Sequence, residues 1–353
     1  MKKRIICLFL VLSIISVMFQ GCGNDTAKTG DDVLTVFNFG EYIDPEMLKL
    51  FTKETGIEIK YEEAMTPEEM YTKYISGAIS YDLLCTSDYM IKRLIDEGQV
   101  QPFDFSTMEN YKNIDTKFTK LSENFDPGNK YALPYFWGTV GILYNKKLVK
   151  EPVDSWDVLF NGEYSGQIIM QDSMRDSFMV ALKYLGHSIN TTDENEIREA
   201  AELLKNQKKD VEGYFIDEAR DELVAENVTM AVIYSGEAYL GKTYNPDLEY
   251  VIPKEGSDLF IDSWVVTKNC KNTEAARKFL DFLCRSDVAK ANFEYIYYST
   301  PNRAVLDQMD EELKSDVAVV PTDESISGCE IYKALDEKTT QLYNELWKEI
   351  KAE

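Results

Sequence analysis

Val33–Tyr61, VLTVFNFGEYIDPEMLKLFTKETGIEIKY, reads as one strand–helix–strand unit. Val33–Asn38 is a short, mostly apolar run of strand composition. Asp44 offers a side-chain oxygen to the free amides of a helix start. Pro45 suits the first helical position, where no amide partner is needed. Met47, Leu48, Leu50 and Phe51 mark one helix face, and Gly56 supplies the stop. Ile57, Ile59 and Tyr61 alternate as a second strand. Strands separated by a helix imply parallel sheet units.

The same alternation continues outward. Thr66-Pro67-Glu68-Glu69 is a capping box opening a further helix. Asp82–Cys85 reads as a strand, and Thr86-Ser87-Asp88 starts a helix that stops near Gly98. Pro134–Asn145 differs, being dense in aromatics and glycines (Tyr135, Phe136, Trp137, Gly138, Gly141, Tyr144), and is a candidate crossing between two lobes. Gln167–Met170, Val228–Tyr234 and Leu259–Val266 are further strands, with helices over Ser177–Leu185 and Ala275–Arg285. Leu342, Tyr343, Leu346, Trp347 and Ile350 recur at helical spacing as a core-facing stripe. The fold class is α/β. No internal repeat, G-x-G-x-x-G or P-loop is found, so nucleotide binding is not expected.

Upstream, Lys2, Lys3 and Arg4 precede an apolar run from Ile5 to Phe19, then Gly21-Cys22. A basic start, a short apolar stretch and a small residue before a cut site describe a secretory leader. The run is short for a permanent span. The cysteine after the small residue resembles a bacterial lipoprotein signal, which implies residues 1–22 as signal with Cys22 lipidated. An ordinary signal peptide with an incidental cysteine is the other reading. Residues 23–32 are small and polar, a flexible tether.

The 353 residues carry a formal charge of −24, and 44% are apolar. About 320 residues from Val33 suit two lobes of ordinary size. The negative balance argues against a nucleic-acid partner, which needs clustered Lys and Arg, and favours approach of cations. Cys85, Cys270, Cys284 and Cys329 are widely spaced and His187 is the single histidine. A zinc site is therefore not expected. A disulfide is possible but unspecified, and Cys85 and Cys284 read as core thiols.

Asp262 stands inside an apolar strand, Leu259-Phe260-Ile261-Asp262-Ser263-Trp264-Val265-Val266, and needs a partner there. An internal Arg, backbone amides or a bound cation would each serve. Asp172, Ser173, Arg175 and Asp176 follow a strand and open a helix. Ser173 or Asp176 is either an N-cap or, at the carboxyl end of a strand, a ligand contact. Glu41-Tyr42 and Ser87-Asp88-Tyr89 occupy similar loops, with Asp88 reading first as a cap. Acid-and-aromatic pairs recur: Phe39 near Glu41, Tyr89 beside Asp88, Phe260 near Asp262. Aromatic faces attract ammonium groups and carboxylates orient them, so the combination suits an organic cation. Core filling is the plain role for any one ring. Two rivals remain. Tyr297-Tyr298 could ligate ferric ion as phenolates, and an acid pair drawn from Asp172, Asp176 and Asp262 could serve a glycosidase.

Five segments, in order, resemble one family: Val36–Tyr42 (VFNFGEY), Phe51–Ile57 (FTKETGI), Ala132–Gly138 (ALPYFWG), Val251–Gly256 (VIPKEG) and Thr300-Pro301-Asn302. Together they are similar to the spermidine/putrescine-binding proteins of bacterial polyamine ABC importers. The likeness runs from about Val33 to the C-terminus. It implies a two-lobed, type II periplasmic-binding-protein fold, each lobe a mostly parallel sheet flanked by helices. Lobe 1 is expected over 33–137 and 265–320, and lobe 2 over 138–264 and 321–353. It also implies capture of a polyamine and its delivery to a membrane permease, with no cofactor, metal or chemistry on the ligand. The chain is expected to be monomeric and tied to the membrane through lipid on Cys22. By that resemblance the aromatic box is Phe39, Tyr42, Tyr89, Tyr234, Phe260 and Tyr298, and the acidic contacts are Asp176 and Asp262. Glu41 and Ser87 match polar positions, and Tyr332 falls near a further polar contact. Phe39, Tyr234 and Phe260 stand where well-known spermidine binders carry Trp. Ser173 stands where an Asp is expected, with Asp88 or Glu237 as candidates to restore the charge.

Overall fold

The computed structural model describes residues 33–352. The leader, Cys22 and the 23–32 tether lie outside the described residues. β1 (Val33–Phe39) leads into α1 (Pro45–Thr55). Asp44 Oδ1 accepts the Glu46 amide at 2.9 Å, and Gly56, at φ +76°, donates its amide to Thr52 O. β2 (Glu58–Ala64) pairs in parallel with β1 along its length. α2 (Pro67–Ser76) starts on Thr66, whose Oγ1 accepts the Glu69 amide at 3.2 Å. Glu69 Oε2 accepts the amide of Met65, so the box closes one residue earlier than the usual pattern.

β3 (Leu83–Thr86), α3 (Asp88–Asp96), α4 (Thr116–Ser122) and the fourteen-residue β4 (Ala132–Asn145) follow. Then come β5 (Ile168–Gln171), α5 (Met174–Tyr184), α6 (Glu194–Gln207), β6 (Val211–Phe215), α7 (Glu218–Val224), β7 (Met230–Tyr234), α8 (Ser235–Tyr244), β8 (Leu248–Val251) and β9 (Leu259–Val266). α9 (Thr273–Leu283), α10 (Ser286–Ile296), the short α11 (Arg303–Leu306) and α12 (Glu311–Ser315), and α13 (Glu337–Ala352) complete the described chain.

Strand order is β2-β1-β3-β9-β4-β7-β5-β6, with β8 also on β4. β4 passes from one sheet to another. Its first part, Ala132–Thr139, lies antiparallel to β9, and Val140–Tyr144 lies antiparallel to β7. On either side the βαβ strands are parallel: β2-β1-β3 on one, β6-β5-β7 on the other. Each sheet is therefore mixed, because the strands that carry the chain between the sheets run against the parallel set. The sheets have separate cores. Phe51, Trp264, Phe279 and Phe293 fill one face of the first, and Phe37, Tyr81 and Phe118 the other. Trp156, Phe178 and Tyr343 fill one face of the second, and Leu143, Ile233 and Tyr250 the other. The C-terminal stripe buries Tyr343, Leu346 and Ile350 in the second core, with Leu342 and Trp347 partly covered.

The Pro253-Lys254-Glu255-Gly256 segment is a packing device. The Glu255 carboxylate accepts from the Ser155 hydroxyl and from the Trp156 amide at 3.3 Å, while Trp156 Nε1 donates to Gly256 O at 2.9 Å. Gly256 has φ +88°, and a Cβ there would sit 1.9 Å from Gly328 O. Only glycine permits both that backbone region and that approach. Cys85, Cys270 and Cys284 are buried, Cys329 is half-buried, and all four are free thiols.

Candidate functional site

The carboxyl ends of β1, β3, β5, β6 and β7 open on one cavity, and β9, running the other way, brings its first residues to the same end. Loops at strand carboxyl ends are free to carry ligand groups because the sheet hydrogen bonding has stopped there. The cavity leaves about 120 Å³ for the centres of water-sized spheres, room for several waters or a slender chain.

β1 delivers Phe39, Glu41 and Tyr42. Glu41 takes φ +52°, an uncommon region for a residue with a Cβ. That turn sends Tyr42 inward, where its hydroxyl donates to Asp262 Oδ2 at 2.7 Å. β3 delivers Ser87 and Tyr89, and the Tyr89 hydroxyl is held by Glu68 Oε1 at 2.9 Å. β5 delivers Ser173, Arg175 and Asp176. Here both readings of the loop apply, to different residues. Ser173 Oγ caps α5 by accepting the Asp176 amide at 3.4 Å. The Asp176 carboxylate instead accepts from the Tyr234 hydroxyl at 2.6 Å and the Tyr332 hydroxyl at 3.1 Å. Asp172 points away, to Lys351 Nζ at 2.7 Å.

The rings form a connected wall. Centroids are 5.7 Å apart for Phe39–Tyr42, 5.3 Å for Tyr42–Tyr298, 6.0 Å for Tyr298–Phe260 and 5.6 Å for Phe260–Tyr234, all edge-to-face. Such contacts fix ring orientation. Tyr89 and Tyr332 meet at 5.8 Å, and the Arg175 guanidinium lies 4.2 Å from the Tyr332 centroid and 5.4 Å from that of Tyr89. Tyr297 does not join the wall. It caps α10 in the left-handed region and packs on Tyr239 and Phe293, so the Tyr297-Tyr298 pair does not converge on one point.

Every residue named above for the aromatic box, its acidic contacts and its polar positions lines this cavity: Phe39, Glu41, Tyr42, Ser87, Tyr89, Asp176, Tyr234, Phe260, Asp262, Tyr298 and Tyr332. The two candidates to replace the charge absent at Ser173 behave differently. Asp88 lies under the lining, accepting the Tyr89 amide at 2.6 Å and the Ile261 amide at 3.2 Å. Glu237 reaches the cavity but is paired with Arg220 at 2.7 Å. Asp217 and Asp258 also line it and were missed, as was the cavity position of Arg175. Asp258 was within reach of the strand pattern. Asp258 sits in a bridge to Glu330 just before β9, and the period of two that puts Phe260 and Asp262 on one face, carried back by one step, reaches it.

The cavity is rich in acid. Glu41, Asp176, Asp217, Glu237, Asp258 and Asp262 face Arg175 alone among basic lining residues. Burial raises the Asp262 carboxyl to about 7, against the opposing Tyr42 hydrogen bond and with help from the charge of Asp176. Burial likewise raises Glu237 to about 7 despite Arg220, and Asp217 to about 6 with Glu41 adding to the effect. Asp88 rises to about 8, from burial and the charge of Asp262. Such a site is short of positive charge.

Comparison with known proteins agrees with this architecture. The family of bacterial extracellular solute-binding proteins matches residues 46–322. The spermidine/putrescine-binding periplasmic proteins of Salmonella typhimurium and Escherichia coli are each 35% identical over 335 residues, covering 94% of this chain and 95% of theirs. The crystal structure of the spermidine/putrescine ABC transporter substrate-binding protein PotD from Streptococcus pneumoniae superposes with TM-score 0.79 at 38% identity, over 91% of this chain and 99% of that one. The Tp0655 lipoprotein of Treponema pallidum shares the fold at TM-score 0.81 and 21% identity, over 90% of this chain and 99% of its own. No helix among the described residues is long and apolar enough to cross a membrane. The chain belongs to the bacterial extracellular solute-binding proteins, a family of binding components rather than enzymes, in the group that contains the spermidine/putrescine-binding periplasmic proteins.

Proposed function

We propose that the cavity captures a polyamine outside the cytoplasm and that the protein hands it to the permease of an ABC importer. The observation that carries this reading is the shortage of positive charge: six acids line an aromatic cavity with one basic residue among them. Asp262, held by Tyr42, and Asp176, held by Tyr234 and Tyr332, each take an ammonium group. The ring wall from Phe39 to Tyr234 covers the methylenes between them. Each cation–ring contact contributes about 0.5–2 kcal/mol. Ser87 and the exposed Glu41 supply polar contacts.

Two lobes follow the two cores. The division we place runs between Thr139 and Val140 on β4 and ahead of Leu259, rather than after Trp137 and Trp264, because all of β9 pairs within the first sheet. Since both lobes contribute contacts, ligand favours their closure. Cys22 carries lipid and residues 23–32 tether a monomeric receptor near its permease, which raises local concentration there. Release into the medium on Cys22→Ala is the expected outcome, and retention at the membrane counts against the anchor.

The deciding experiment is a thermal-shift and calorimetric panel of putrescine, cadaverine, spermidine, spermine, basic amino acids, ferric ion and oligosaccharides. A ligand at a hundred times its Kd stabilises by about 2.7 kcal/mol. A melting temperature unmoved by every polyamine refutes the assignment.

A further inference from the structure

Asp258 is 1% exposed and lines the cavity, yet its Oδ1 has no hydrogen-bond partner among the described residues. A buried carboxyl oxygen without a partner costs free energy that the fold does not return. The other buried acids of the site are each engaged. Asp262 holds the Tyr42 hydroxyl, Asp176 two hydroxyls, Asp88 two amides and Glu237 the Arg220 guanidinium. Asp258 immediately precedes β9, bridged to Glu330, and lines the same cavity as Phe260 and Asp262. Resting on the polyamine reading, we propose that Asp258 is the contact for a third ammonium, which makes the site selective for a triamine over a diamine.

The chemistry follows from the number of nitrogens. A diamine satisfies Asp176 and Asp262 and leaves Asp258 buried without a donor. A triamine brings an inner secondary ammonium, with two N–H donors, to the same chain of methylenes. Asp258 lies within electrostatic reach of Asp88, Asp176 and Asp262, with Arg175 the opposing charge and Cys329 close by. Burial and those three acids push its carboxyl well above the usual range. A carboxyl neutral in the empty site at pH 7 gives up its proton when an ammonium settles against it. Triamine binding therefore releases more protons than diamine binding.

The test compares putrescine and spermidine by calorimetry, at pH 7, in two buffers of different ionisation enthalpy. The wild-type protein is expected to favour spermidine by about ten- to hundredfold, the worth of one hydrogen bond to a charged group, and to release more protons with it. Asp258→Asn is expected to lower that preference by about tenfold or more and to remove the extra proton release. An unchanged preference in Asp258→Asn overturns the inference while polyamine binding stands. Binding of neither amine by the wild type removes the underlying reading itself. If Asp258→Asn does not fold, equal proton release for the two amines on the wild type overturns the inference.

Discussion

The Tyr42 hydroxyl donates to Asp262 Oδ2 at 2.7 Å across 220 positions of sequence, joining the loop after β1 to the middle of β9. This bond favours the ionised carboxylate while burial opposes it, and the balance stands at about 7. Tyr42→Phe removes the favourable part, so Asp262 ionises less readily. Polyamine affinity in that variant is expected to fall more at pH 6.5 than at pH 8.5. Asp262→Asn removes the charge and should cost about 2–5 kcal/mol of binding even at the higher pH. Asp88→Asn keeps an oxygen for the Tyr89 amide and lies under the lining, so it should cost less. Titration calorimetry of the three variants at both pH values checks this, and equal losses in all three contradict it.

Stability of the empty protein should fall as pH rises. Asp88, Asp262, Glu237 and Asp217 have folded values of about 8, 7, 7 and 6, all above the ordinary carboxyl range. Between the unfolded and folded values the native state binds more protons than the unfolded chain. The slope of unfolding free energy with pH is then negative. The melting temperature is expected to be higher near pH 5 than near pH 8, with the loss concentrated between about pH 5 and 8. Saturating polyamine should shrink that difference, because the ligand favours the ionised acids. A melting temperature that climbs from pH 5 to 8 without ligand would contradict these assignments.

Gly236, in the first turn of α8, lies against Tyr298. A Cβ there would come within 2.2 Å of the ring. Gly236→Ala is expected to displace Tyr298 from the aromatic wall, at about 1–3 kcal/mol of overpacking cost. Affinity should fall with it, since the Tyr42–Tyr298–Phe260 contacts depend on that ring. Denaturation and binding measured on the same variant test this, and an unaltered affinity would place Tyr298 outside the ligand's reach.

The Arg220–Glu237 pair at 2.7 Å, with side chains 15% and 11% exposed, is nearly closed off from water. Losing Arg220 leaves the buried Glu237 carboxyl either charged and unpaired or protonated without its donor, and both cost free energy. Arg220→Met is expected to destabilise by about 3 kcal/mol, and Arg220→Met with Glu237→Gln by much less. A double-mutant cycle from denaturant melts gives the coupling. Additive effects would show the pair contributes nothing.

The fold was legible where local chemistry is self-contained. Asp44-Pro45 and Gly56 bracket α1 as their residue types require, and β9 spans Leu259–Val266 as its apolar run indicates. The eleven expected site residues meet in one cavity, but Tyr332 is brought there by contacts with Asp176, 156 residues away, and with Tyr89, which no local pattern encodes. The resemblance supplied that grouping. What the residues alone left open at Asp262 is now specific: its internal partner is a tyrosine hydroxyl, not an Arg. Asp258 is not marked by the apolar run, which begins at Leu259, one residue after it. Arg175 escaped because its stacking on Tyr332 joins segments whose contact is purely tertiary.

β4 is one unbroken strand laddered to β9 on one sheet and to β7 and β8 on the other. A laddered strand cannot slide along either neighbour without tearing its hydrogen bonds, so the crossing resists shear between the sheets. The ladder changes hands at Gly138–Val140. There a Cβ on Gly138 would strike the Phe260 ring at 2.7 Å and Ser235 Oγ at 2.6 Å. The crossing between the two sheets thus abuts Phe260, the residue at the centre of the ring wall, so an occupant that moves this ring presses on the strand where it passes from one sheet to the other.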